Sequence, residues 1–193
     1  MFNSDNPIKK FSLSILADVC NDITQLVDLF ISASQISSIG CHPYNFIVDD
    51  LNLHDSILNI INSYYNQLRN EGILVMNVLG GASLNQLTNA MMHADLKENR
   101  LVTRMLPQIS PAGLLSIANQ SSFKYKTIMS NSTNVNYSSV QAVIQSLREI
   151  RLTKKLSNNQ PTSRKYWASV QEIFSGLYGT SLTIEVITLF AVK

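Results

Sequence analysis

The sequence predicts an α/β fold: a mostly parallel sheet with helices on both faces and an antiparallel pair of strands at one edge. Three observations carry this. The apolar runs Phe46-Ile47-Val48 and Ile73 to Leu79 flank a stretch of helical spacing, which makes a βαβ unit, and a right-handed crossover sets its strands parallel. Beyond it, segments with apolar residues three and four apart alternate with short apolar runs. The chain closes on Leu182 to Val192 (LTIEVITLFAV), a β-branched run suited to a strand.

Taken in order, residues 1–10 are a polar lead-in, and Phe11 to Val19 (FSLSILADV) is apolar and partly alternating, which predicts the first strand. Ile23, Leu26, Val27, Leu29, Phe30 and Ile31 have helical spacing. The run at Phe46 ends in Asp49 and Asp50, of which one is expected to cap the next helix and the other to be solvated. Ile57, Leu58, Ile60, Ile61, Tyr64, Tyr65 and Leu68 form one helical face. Asn70-Glu71-Gly72 is expected to stop that helix, with Gly72 as a left-handed C-cap. Gly80-Gly81 then turns the second run into a helix opening at Ser83 and extending to Asn99, with Leu84, Leu87, Met91 and Leu96 on its apolar side. Met91 and Met92 suit gap-filling core positions.

Pro107 breaks the chain, and Ser110-Pro111 opens a short helix with serine as N-cap and proline in the first turn. Phe123 to Ser130 (FKYKTIMS) alternates as a half-exposed strand, and Asn131 to Tyr137 is expected as a polar loop. Ser138-Ser139 cap a helix burying Val140, Val143, Ile144, Leu147 and Ile150. Residues 151–163 lack a period and are expected as a loop. The helix Lys165 to Tyr178 should turn Trp167, Val170, Ile173, Phe174 and Leu177 inward. The expected strands are thus 11–19, 44–49, 72–79, 123–130 and 181–192, the last two forming the edge hairpin.

At 193 residues the chain is one domain by size. With 45% hydrophobic and 15% charged residues it is globular. A net charge of +2 is too small to imply nucleic acid. Cys20 and Cys41 form no metal or disulfide pattern, and His42 and His93 have no partners at ligand spacing, so no metal is expected. There is no signal-peptide pattern and no run near the roughly 20 apolar residues of a membrane span, so a cytoplasmic protein is expected.

The stretch from Tyr44 to Leu87 carries a family resemblance. Leu51-Asn52-Leu53-His54-Asp55, Leu68-Arg69-Asn70-Glu71-Gly72 and Leu79-Gly80-Gly81-Ala82-Ser83-Leu84-Asn85-Gln86-Leu87 resemble the L-x-L-H-W, L-K-P-G-G and F-G-x-x-(S/T)-L-x-E-L turns of Rossmann-like class I methyltransferases. The nearest groups are the BioC-type malonyl-acyl-carrier-protein O-methyltransferases of biotin synthesis and the methyltransferase-like assembly factors of respiratory complex I. Further on, Tyr137, Val140, Val143, Ile144, Leu147, Arg148 and Ile150 are similar to the family's Y-x-x-(V/F)-x-x-L-(M/I)-x-x-L-(K/R)-x-(I/M)-G, and Ala191-Val192-Lys193 to its terminal A-x-K. This sequence departs from the pattern at Asp55 (tryptophan), Glu71 (the first glycine of the turn), Gln86 (glutamate) and Arg151 (the last glycine).

The resemblance implies S-adenosylmethionine as cofactor and a single methyltransferase-like domain over 1–193, with a reduced N-terminal half (1–43) and a C-terminal half (44–193) whose substrate-side helices span 138–178. It implies that Asp18, Asn21 and Asp49 face the cofactor, and that Asn52, Tyr137, Arg148 and Arg164 face the substrate. His54, where a strand hands over to a helix, is the candidate to orient or deprotonate a substrate group. Family members carry a D-x-G-x-G-x-G turn, whose glycines let the backbone approach the cofactor. Here the matching turn is Asp18-Val19-Cys20-Asn21-Asp22, without glycine.

Arg148 has the fork of donors that holds a carboxylate or a phosphopantetheine phosphate. Lys154, Lys155, Arg164 and Lys165 make a basic rim suited to an acidic acyl carrier protein. The function expected first is methylation of the malonyl-acyl-carrier-protein carboxylate; the alternative is a binding and assembly role in a chain that has lost cofactor binding. The complex I likeness also permits a hydroxylase. Residues 17–40 separate the two main readings. Strand, tight turn and helix facing His54 would serve the enzyme, and packing over the strand ends would serve the binding protein.

Overall fold

A computed structural model describes residues 6–18, 44–50, 56–100, 109–149 and 163–193, with the backbone alone for 44–50. The described chain begins with a helix, α1, over 7–18. This corrects the strand expected at 11–19. Phe11 to Ile15 alternates, but Ile8, Ser12, Ile15 and Leu16 are the buried positions, and their spacing is helical. The helix start is well specified: the Asn6 carboxamide oxygen accepts from the Ile8 and Lys9 N–H groups at 3.1 and 3.3 Å, and Pro7 stands in the first turn.

The remaining elements are β1 (Tyr44–Asp50), α2 (Ile57–Gln67), β2 (Leu68–Leu79), α3 (Asn85–Lys97), α4 (Pro111–Asn119), β3 (Tyr125–Asn136), α5 (Val140–Glu149), α6 (Arg164–Tyr178) and β4 (Ser181–Val192). The four strands order as β1-β2-β4-β3. β1 and β2 are parallel, as the βαβ unit requires. β4 lies between β2 and β3 and runs antiparallel to both. The described sheet is therefore mixed, not mostly parallel, because the C-terminal strand returns into its middle. The expected antiparallel pairing of the last two strands is present.

Turn chemistry explains the shifted boundaries. Both Asp49 and Asp50 stay in β1, and Ser56 caps α2 by accepting from the Asn59 N–H at 3.4 Å. Gly72 is no helix C-cap. α2 ends at Gln67, and the left-handed residue is Glu71 (φ 64°). The pairing of β1 with β2 jumps from Tyr44↔Leu68 to Phe46↔Ile73, so residues 69–72 bulge out of the ladder. A Cβ on Gly72 would come within 2.8 Å of the Arg69 carbonyl oxygen. α3 opens at Asn85 after a left-handed Leu84 (φ 61°), while the Ser83 hydroxyl bonds the backbone of Glu185 in β4. The polar residues 131–136 extend β3, in unbroken register to Asn136↔Ser181. β4 supplies their backbone partners, so polarity alone did not make a loop. The caps at Ser110 and Ser139 are as expected, and Ser163 caps α6.

Strand alternation divides the core into two layers. Leu182, Ile184 and Val186 of β4 pack beneath α1, α3, α5 and α6 with Leu87, Met91, Val143, Tyr166 and Phe174. Ile187, Leu189 and Ala191 face the other way, with Leu74 and Met76 of β2, onto α2 and α4. Helices cover both faces, as expected of the α/β class.

The last residue closes the second layer. The Lys193 ammonium donates to the Tyr65 and Leu68 carbonyls at 2.7 and 2.6 Å and lies 4.3 Å from the centre of the Tyr65 ring. Its backbone bonds Gly72 and Glu71. A cation thus satisfies carbonyls left open at the α2 terminus. Lys193→Met is expected to lower the unfolding free energy by about 1–2 kcal/mol. The urea midpoint checks this.

Candidate functional site at the carboxyl edge of the sheet

Parallel β1 and β2 bring their carboxyl ends, Asp50 and Leu79, to one edge. β3, antiparallel to β4, ends at Asn136 on the same side. Ligands of open α/β sheets bind outside such an edge. Near it, among the described residues, the chain's own groups bond one another. Asp49 and Asp50 pair with Met76 and Asn77. The buried Asn77 amide donates to the Ser12 carbonyl and hydroxyl at 3.1 and 2.8 Å, and its oxygen accepts from the Thr188 hydroxyl at 2.7 Å. α1 is thereby tied across the sheet, and Leu16 packs on Val75.

The Gly80-Gly81 turn is likewise occupied. One oxygen of the Glu185 carboxylate accepts from the Ala82 N–H at 2.8 Å and the other from the Ser130 hydroxyl at 2.6 Å. The Gly80 N–H donates to the Glu185 carbonyl and the Gly81 N–H to that of Ile109. A Cβ on Gly80 would collide with the Glu185 carboxylate. The turn works as a strand–helix junction, not as a phosphate cradle.

The candidate residues are described only in part. Asp18 is exposed on the last described turn of α1. Asn21, Asn52 and His54 lie outside the described residues, as do Lys154 and Lys155 and the helix expected at 23–31. Asp49 is placed by the backbone of β1. Of residues 17–40, Ala17 and Asp18 are described, and both are helical. The resemblance calls for a strand at 11–19 to deliver the cofactor turn to the edge; residues 7–18 form α1 instead, and residues 19–22 of that turn lie outside the described residues. No group of three His, Cys, Asp or Glu suited to a metal occurs among the described residues.

Tyr137, Arg148 and Arg164 lie on or beside α5 and α6. Arg148 is exposed in the last turn of α5, and Arg164 and Lys165 are exposed in the first turn of α6. Residues 150–162 connect them. Tyr137 behaves differently: it is only 8% exposed, and its hydroxyl completes no hydrogen bond among the described residues. Burial pushes the phenol above its ordinary value of 10.0, against the nearby Ser146 hydroxyl and with the Glu149 carboxylate. The folded state therefore keeps the proton where the unfolded chain releases it. This contribution to stability is fully present below pH 10 and is lost as pH climbs through the raised value. Tyr137→Phe is expected to abolish that alkaline loss. At neutral pH it should leave stability equal or raise it by up to about 1 kcal/mol, since no hydrogen bond is sacrificed. Urea unfolding at neutral and alkaline pH measures both effects.

An open groove between α3 and α6, lined by His93, Leu96, Lys97, Glu172, Ile173 and Leu177, was not legible in the sequence. Leu96 and Leu177, expected inward, are 50% and 61% exposed. Their spacing fits the apolar face, but both sit toward the C-terminal ends of their helices. No helix among the described residues is long and apolar enough to cross a membrane.

No family model and no curated protein matches the sequence. Solved structures do resemble it in outline. A protein described as a methyltransferase, from Bacillus halodurans C-125, aligns with TM-score 0.42 and 13% identity, over 89% of this chain and 79% of its own. Haemonchus contortus phosphoethanolamine N-methyltransferase 2, bound to phosphomonomethylethanolamine and S-adenosylhomocysteine, gives TM-score 0.36 and 10% identity, over 77% of this chain and 32% of its own. A protein described as a sarcosine dimethylglycine methyltransferase, from Galdieria sulphuraria, gives 0.34 and 14%, over 79% of this chain and 55% of its own. None reaches the similarity from which membership of a family would follow.

Proposed function

We propose that this chain is a methyltransferase-like protein that works by binding an acidic carrier-type partner through its substrate-side helices, without transferring a methyl group. The observation that supports this reading is α1. Where the resemblance calls for a strand leading to a cofactor turn, a capped helix is tied to the sheet through Ser12 and Asn77. The partner would meet the exposed guanidinium forks of Arg148 and Arg164, with Lys165 beside them. Such forks suit the phosphate of a phosphopantetheine arm, and the cationic rim suits the acidic surface of an acyl carrier protein. A respiratory-complex subunit is the other partner that the resemblance suggests.

A second reading keeps the enzyme: a malonyl-acyl-carrier-protein O-methyltransferase of biotin synthesis. What favours it is the parallel pair β1–β2, whose carboxyl ends meet as they do in ligand-binding α/β sheets. Asp18, Asn21 and Asp49 would then serve the cofactor, and His54, Asn52 and Tyr137 the acceptor. A carboxylate acceptor is already nucleophilic, so alignment and not a strong base would be the protein's task.

Biolayer interferometry of the whole chain against holo- and malonyl-acyl-carrier protein tests the binding reading. The expected result is salt-sensitive binding that weakens roughly tenfold or more in Arg148→Glu/Arg164→Glu. Absence of binding, or binding indifferent to the charge reversal, would count against it.

A further inference from the structure

We propose that the outer edge of β3 is a docking edge, and that its occupant is β3 of a second copy of this chain, running antiparallel. β3 pairs with β4 along its whole length, and among the described residues no strand pairs with its other side. Alternate N–H and C=O groups therefore point outward, a ready template for another strand. Proteins that stay single guard such edges with short length, proline, bulges or lysines. β3 is 12 residues long, has no proline and keeps one register throughout. Its one basic residue, Lys126, and Lys124 just before it are turned back on their own chain. The Lys126 ammonium donates to the Ser121 carbonyl at 3.3 Å, and that of Lys124 lies 5.1 Å from the centre of the Tyr125 ring. From Thr127 to Asn136 there is no charge.

Self-complementarity selects a second copy as the occupant. Tyr125, Thr127, Met129, Thr133 and Val135 share one face of the sheet, since they pair with Val192, Phe190, Thr188, Ile184 and Leu182. Tyr125 and Met129 are 61% and 50% exposed. A two-fold axis through Ser130 sets Tyr125 opposite the partner's Val135 and Thr127 opposite the partner's Thr133, each twice. Aromatic with β-branched and threonine with threonine are favoured cross-strand pairs. The antiparallel direction also holds the two Lys126 residues apart, whereas a parallel pair would stack them. An unrelated extended peptide would satisfy the backbone without these pairs.

Sedimentation velocity of the whole chain over a concentration series tests the proposal, with circular dichroism to check folding. The unchanged protein is expected to reach the mass of two chains. Thr127→Lys/Thr133→Lys sets like charges opposite one another at both ends of the joint, and the dissociation constant should rise about tenfold or more. Thr127→Lys/Thr133→Glu alters the same two positions but sets lysine opposite glutamate, and should keep the two-chain mass. A one-chain mass for the unchanged protein, or the same behaviour in both double variants, would overturn the proposal.

Discussion

Phe174→Ala is expected to lower the unfolding free energy by about 3–5 kcal/mol, the range for emptying a buried aromatic position. Phe174 is fully buried on α6, at the centre of the layer formed by α1, α3, α5, α6 and β4. Its ring lies 6.2 Å from that of Tyr178. Truncation removes apolar contact within this layer, and a packed interior collapses only partly around such a void. Phe174→Leu retains much of the volume and should cost clearly less. Urea unfolding of the two variants gives both numbers. If alanine and leucine cost the same, the layer is not close-packed at this point.

Asn77→Ala is expected to cost about 2–4 kcal/mol, although asparagine is not a core residue by type. The side chain is fully buried and engages Ser12 on one side and Thr188 on the other. Alanine deprives two buried hydroxyls of this partner and leaves a small void. Because Ser12 belongs to α1, the same network measures how firmly that helix is docked. A double-mutant cycle with Ser12→Ala should give a coupling of roughly 0.5–3 kcal/mol, as expected for residues within one hydrogen-bond network. Additive effects would mean that α1 is not held to β2 through this pair.

The parts legible in the sequence are those where local pattern and tertiary environment agree. The βαβ unit from Tyr44 to Leu79, the Ser110-Pro111 helix start and the strand at Leu182 each have a single signal without a competitor. The first helix carries a competing strand signal, because Phe11 to Ile15 alternates over five residues, while the cap that decides the matter, Asn6-Pro7, lies upstream. The Asn70-Glu71-Gly72 stretch looks like a helix stop, but its excess residues are taken up as a bulge against β1. Asn131 to Asn136 is polar because it lies on an edge strand, not because it leaves the sheet.

Among the candidate residues, the exposure of Arg148 and Arg164 is legible in the sequence. Arg148 and Arg164 stand where an amphipathic pattern places them. The burial of the Tyr137 hydroxyl, the Asn77 network and the Glu185 bridge across the glycine turn depend on residues more than 50 positions apart in sequence, or on packing that no local period encodes. Glu185 did have one faint signal, a lone charge within an otherwise uncharged strand.

We propose that this chain binds a partner without a methyl-donor site of its own, since the segment 7–18 is a helix tied to the sheet where the resemblance calls for a strand. Isothermal titration of the whole protein with S-adenosylmethionine, and with S-adenosylhomocysteine, tests it most directly. The account predicts no heat of binding at high micromolar protein. Saturable micromolar binding of either nucleoside would contradict it and favour the enzyme reading.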